Sequence, residues 1–160
     1  MAGNARKIRA ALIAIASVTS ASVLGQIATY PNLQSWYAGL IKPSFNPPNW
    51  IFAPVWTTLF VLMGFAFWRI LRLPNSAARD RAVWVFALML VLNAAWSWMF
   101  FAAHSPVLGL VNIVPQLATI GASIVLFGRL DRLAAACLAP LFAWVTFATL
   151  LNFSIFQLNG

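Results

Sequence analysis

The chain has 160 residues, 62% of them hydrophobic and only 8% charged, with a mean hydropathy of +0.87. A soluble domain carries about 25% charged residues, so this composition excludes a water-facing globule, a separate soluble domain and intrinsic disorder. There is no Glu, and Asp80 and Asp131 are the only acids, which excludes paired carboxylates for acid–base work, carboxylate metal sites and acidic proton relays. One Cys (Cys137) and one His (His104) exclude an internal disulfide, a Cys/His zinc site and a bis-histidine haem.

A ~30 Å hydrocarbon layer needs about 20 apolar residues per helix, so the chain has room for five spans and their loops. After a basic start (Arg6, Lys7, Arg9), residues 10–29 read as a retained first span. A secretory signal is the alternative, because small residues near Ser20-Ala21-Ser22 follow a basic stretch and a short apolar one. Residues 30–50, rich in Pro, Asn and aromatics, read as a long ordered loop. A second span is expected over 51–68, with Pro54 in its first turn, where a missing N–H costs least. A basic loop broken by Pro74 leads to a third span over 82–103, and His104-Ser105-Pro106 alone separates it from a fourth over 107–127. So short a connection makes the two antiparallel neighbours. The loop Gly128 to Arg132 precedes a fifth span over 133–157, and Pro115 and Pro140 are expected to kink spans four and five. The chain thus reads as one all-α membrane domain, residues 1–160, without internal repeats.

Five crossings put Arg6, Lys7, Arg9, Arg69, Arg72, Arg79, Arg81, Arg129 and Arg132 on one side and Lys42 alone on the other. By the positive-inside rule the N-terminus is cytoplasmic and the C-terminus outside. The net charge of +8 is therefore an orientation signal, with anionic lipid headgroups rather than nucleic acid as its partner. The bias favours an inner membrane, with the outer membrane left open.

Within lipid, polar side chains turn towards neighbouring helices or a cavity. Asn112, Gln116, Thr119 and Ser123 share one face of span four, and Asn93, Trp96, Ser97 and Phe100 one face of span three. Span two offers Trp56, Phe60, Met63 and Phe67, and span five Trp144, Ala148, Asn152 and Ile155. Each face alone fits ordinary packing with polar contacts between helices. Together, in a chain with eight Trp, they outline a pocket for a flat, largely apolar ligand. Interfacial belts account for Trp36 and Trp50 at the loop and for Trp68 and Trp84 at the opposite membrane surface, whereas Trp56, Trp96, Trp98 and Trp144 fall a turn or more inside the spans.

The loop and the start of span two carry a specific pattern. It runs Trp36-Tyr37, Leu40, Lys42-Pro43-Ser44-Phe45, Pro47-Pro48, Trp50, Phe52, Pro54-Val55-Trp56-Thr57 and Met63-Gly64. Asn93-x-x-Trp96-Ser97-x-x-Phe100-Phe101, and Pro140 with Trp144-x-x-Phe147-Ala148-Thr149-x-Leu151-Asn152, extend it over nearly the whole chain. In these motifs the chain resembles the tryptophan-rich sensory protein/translocator protein family (TspO/MBR, the peripheral-type benzodiazepine receptor family), and is read as a bacterial member. The resemblance implies a five-helix bundle, a homodimer, and a first loop that closes a cavity. It implies binding of porphyrins such as protoporphyrin IX and of benzodiazepine-type ligands. By motif, ligand contacts fall on Tyr37, Pro47, Phe52, Trp56, Phe60, Asn93, Trp96, Trp144, Ala148 and Leu151. Animal members carry a Tyr followed by a basic residue at the end of the fifth helix. Phe153 stands there instead and no basic residue follows, so sterol binding is not expected.

Three functions are compatible with this reading. The first is a membrane protein that binds and senses a tetrapyrrole, with Lys42 either meeting a propionate or anchoring the loop at the headgroups. The second is an enzyme that degrades porphyrin in light and oxygen, in which the resemblance makes Trp56 and Trp144 the redox residues and the porphyrin the substrate, with no covalently bound cofactor and no metal. The third, a passive porphyrin transporter, is opposed by the missing repeats and missing intramembrane acids. His104 reads as a turn residue and Cys137 as a small packing residue.

Overall fold

The computed structural model describes residues 2–160, with side chains from Asn4 onward. Its elements are α1 (Ala2–Leu33), a one-turn α2 (Trp36–Gly39), α3 (Asn49–Leu71), α4 (Ala77–Ser97) continuing into a π-helical turn (Trp98–Ala102), α5 (Pro106–Gly128), a short α6 (Arg132–Ala136) and α7 (Ala139–Asn159). Among the described residues there is no strand. Five stretches are long and apolar enough to cross a membrane: Asn4–Leu33, Asn49–Leu71, Ala77–Ala102, Pro106–Gly128 and Arg132–Asn159. This is the five-span helical bundle expected.

Local chemistry sets several helix starts. Ser76 Oγ accepts the Arg79 N–H at 3.2 Å, and Asp80 lies in the first turn, so α4 begins at Ala77 rather than at the first apolar residue. Ser105 Oγ likewise accepts the Leu108 N–H at 3.2 Å, with Pro106 in the first turn of α5. Asp131 Oδ1 accepts from Leu133 N (3.0 Å) and Ala134 N (3.1 Å), capping α6.

The expected boundaries needed four corrections. Helix α1 continues through Pro31 to Leu33, and α2 interrupts the loop, so the irregular connection is shorter than 30–50. Starting α3 at Asn49 moves Pro54 from the first turn to the second. The fifth span breaks at Cys137–Leu138, and Pro140 opens α7 rather than kinking a continuous helix. The π-helical turn at the end of α4 has no signature in hydropathy, because its extra residue per turn leaves composition unchanged.

Packing differs along the bundle axis. On α1 the small residues Ala10, Ala14, Ala21, Gly25 and Ala28 are buried, which lets α1 lie close to α3 and α4. A Cβ on Gly25 would stand 3.2 Å from Ser97 Oγ. At the arginine-bearing end, Phe67, Phe86 and Phe127 stack with centroid separations of 4.5 and 5.4 Å, and Met63, Ala66, Ile70 and Ala82 fill the space around them. Arg69 Nε meets Asp131 Oδ2 at 2.7 Å, tying the end of α3 to the cap of α6. The partner of Asp131 is thus a residue 62 positions away, not its flanking arginines.

Candidate functional site

At the opposite end the helices do not close on one another. A hollow of about 760 Å³ lies between α1, α3, α4, α5 and α7, roofed by Leu33, Tyr37 and Asn49. Trp56 and Phe60 of α3, Trp96 and Phe100 at the end of the third span, and Trp144 of α7 supply its large rings. Trp96 stacks on Phe100 (4.9 Å, 13°), and Trp56 tilts against Phe60 (5.7 Å). Helices α3 and α7 meet through an edge-on contact of Phe52 with Trp144 at 5.8 Å. Ile15 of α1 and Val61 and Phe65 of α3 border the hollow yet are exposed, so it also opens sideways between these helices.

The polar groups in the wall are neutral. Asn93, Gln116 and Asn152 line it, and each is buried. Asn152 Nδ2 donates to Pro106 O at 2.8 Å, while Asn152 Oδ1 and Trp96 Nε1 are buried without a partner among the described residues. No Lys, Arg, His, Asp or Glu is among the residues lining the hollow.

Residues 34–48 form the lid. Trp36 packs edge-on against Phe100 and Phe101 (5.4 and 6.5 Å) and stacks on His104 (4.9 Å, 15°). Tyr37 packs on the same two phenylalanines, and its hydroxyl reaches Asn46 Oδ1 at 3.3 Å. Burial pushes the Tyr37 phenol above its ordinary range, keeping it a neutral donor. Asn159 at the end of α7 holds the lid's other side, accepting from Ile41 N and donating to Ile41 O, each at 2.9 Å.

Nine residues expected at the site line this hollow: Tyr37, Phe52, Trp56, Phe60, Asn93, Trp96, Trp144, Ala148 and Leu151. Lys42 and Pro47 lie outside the lining. The Lys42 ammonium donates to Leu40 O (3.1 Å) and sits 4.6 Å from the centre of the Tyr37 ring, so it is engaged within the lid rather than turned to a ligand. Trp98, although well inside its span, is exposed, and its Nε1 donates to Leu24 O at 3.0 Å. Trp36 is part of the lid's packing. Sequence reasoning missed the contribution of α1, where Ser22, Gly25, Gln26 and Thr29 join the wall. Their i, i+3, i+4, i+7 spacing was the available signal, masked by an otherwise apolar first span.

Fold and site together define a five-span helical membrane protein with an uncharged, aromatic-walled hollow beneath an extramembrane lid. Residues 11–158 match the model of the TspO/MBR family. The tryptophan-rich protein TspO of Chlorobaculum tepidum is 44% identical over 131 residues, covering 81% of this chain and 83% of that protein. The TspO of Archaeoglobus fulgidus is 36% identical over 158 residues, 98% of this chain and 99% of its own. The translocator protein of Homo sapiens is 35% identical over 127 residues, 78% of this chain and 75% of its own. The chain belongs to the TspO/MBR family.

Proposed function

We propose that the chain binds a flat tetrapyrrole of the protoporphyrin IX type in the hollow and acts as a tetrapyrrole-binding and sensing protein of the bilayer. The observation that carries this reading is the convergence of Trp56, Trp96 and Trp144 from three spans on one space of about 760 Å³, within the range of drug-sized ligand sites. Rings stacked on a macrocycle contribute about 0.5–1.5 kcal/mol each beyond area burial, which suits micromolar binding, about −8 kcal/mol. Because the wall carries no cation, the propionates project from the hollow rather than into it. An absorption and fluorescence titration with protoporphyrin IX in darkness tests this. Trp144→Phe and Asn93→Ala are expected to weaken binding several-fold, and Lys42→Ala to leave it unchanged; unaltered affinity in both wall variants removes the hollow as the site.

A second reading is supported by the positions of Trp56 and Trp144, both in the wall and both within reach of a common occupant. Light and oxygen would then drive oxidation of the bound porphyrin with an indole as redox partner, chemistry that needs no acid, base or metal. Illuminating the complex separates the readings: bleaching as fast in Trp56→Phe as in wild type excludes that indole. The proposal further places the arginine-bearing end in the cytoplasm against anionic lipid, in a bacterial inner membrane, with the lid outside and the chain paired as a homodimer.

A further inference from the structure

His104 is the only non-glycine residue among those described with a positive φ, 51°. A left-handed conformation is strained for an L-residue, and glycine would take it without that strain. The imidazole makes two contacts that glycine could not. Its Nε2 lies 2.7 Å from Asn32 Oδ1, near the end of α1, and its ring stacks face to face on Trp36 of α2. The Asn32 amide is oriented for this contact, because its Nδ2 donates to Ala28 O at 2.8 Å and leaves Oδ1 as the acceptor. Nε2 therefore carries the donated proton. One strained residue in the turn between the third and fourth spans thus holds both the top of α1 and the near side of the lid. The far side is held separately, by the paired Ile41–Asn159 hydrogen bonds.

We propose that His104 is a latch: its release leaves residues 35–39 held beside the α4–α5 turn only by the packing of Trp36 and Tyr37 on Phe100 and Phe101, and the lid swings about the Ile41–Asn159 tie to uncover the roof of the hollow. The tie at Ile41 is made by backbone atoms on one side, so it holds whichever way the lid side chains turn. The latch is made only by side chains, and an aromatic stack and one hydrogen bond can part without unwinding a helix. Opening therefore begins at Trp36.

The test reads backbone amide hydrogen exchange in the full chain in lipid nanodiscs, without ligand, so it stands or falls independently of the tetrapyrrole reading. His104→Gly keeps the left-handed turn and removes both contacts. The amides of residues 35–39 should exchange about tenfold faster, the loss of one hydrogen bond and one stack, while the Ile41 amide stays at its wild-type rate. Asn32→Leu should speed the same amides less, and adding it to His104→Gly should change nothing further, because both act through one contact. Asn159→Ala should show the reverse pattern, with Ile41 released. Unchanged exchange at residues 35–39 in His104→Gly overturns the latch. So does equal acceleration of Ile41, which would mark general loosening of the lid.

Discussion

At the arginine-bearing end of the bundle three buried phenylalanines lie ring on ring, whereas at the lid end three tryptophans stand around a void of about 760 Å³. One face of α3 belongs to both regions, with Trp56 and Phe60 in the wall of the hollow and Met63 and Phe67 in the packed base. Aromatic content alone therefore does not decide whether a helical face packs or stands open. What differs is how the facing helices are tied. At the base, Arg69–Asp131 and the short α6 draw α3 towards the α5–α6 connection. At the lid end, α3 and α7 touch through the rings of Phe52 and Trp144. The base is where stability is concentrated, and the open end is where a ligand can supply the missing packing.

The largest effect is expected at the base. Phe86 is fully buried between two other rings, so Phe86→Ala should cost about 3–5 kcal/mol in reversible unfolding in micelles. A cost no larger than that of Trp144→Phe in the ligand-free protein would contradict the division into filled and hollow ends. An intermediate effect is expected where the hollow meets its supporting helices. A Cβ on Gly109 would come 2.5 Å from Asn152 Oδ1 and 3.0 Å from Phe100 Cδ2. Gly109→Ala should therefore cost about 1–3 kcal/mol and displace Asn152 from the wall, weakening binding as well as folding. If only stability falls, Asn152 is a packing residue and not part of the site.

The smallest effect is assigned to the charge of the base clamp. Burial by itself would raise the Asp131 carboxyl, but the hydrogen bond and charge of Arg69 and the N–H groups of Ala134 and Leu133 outweigh it, holding the carboxyl below its ordinary range. A depressed folded value means stability that is present above the unfolded carboxylate value, about 3.9, and lost as pH falls through the folded one. Asp131→Asn keeps a good helix cap and removes only the charge, so it should cost about 1 kcal/mol or less near neutrality. Chemical unfolding across pH 7 to 2 should show the gap to wild type closing in acid. A gap that persists unchanged points to lost geometry rather than lost charge.

Much of this architecture was legible because a bilayer leaves few options. Apolar length located five spans, and the shared spacing of Asn93, Trp96, Ser97 and Phe100 placed all four on one wall. Chain order also told which residues could gather, as with Trp144, Ala148, Asn152 and Ile155. What remained hidden were features that periodicity does not encode. Nothing in a helical repeat marks the level at which Phe60 faces space and Met63 faces packed side chains, since that depends on partners from other helices. The engagement of Lys42 with Leu40 O depends on the lid's own fold, and the His104 contacts join residues 32, 36 and 104 across two loops. Caps such as Ser76 and Asp131 could be seen only as polar residues beside charged ones, so helix starts were placed where hydropathy rises.

The neutrality of the wall has a consequence for how occupancy responds to its surroundings. No Lys, Arg, His, Asp or Glu lines the hollow, and burial raises the Tyr37 phenol above its ordinary range, so it stays a neutral donor. On the proposed reading, acidity would then act on loading through the guest's own ionisable substituents or through the lid, and not through the wall. The wall would serve as a fixed apolar standard against which the guest's state of charge is read.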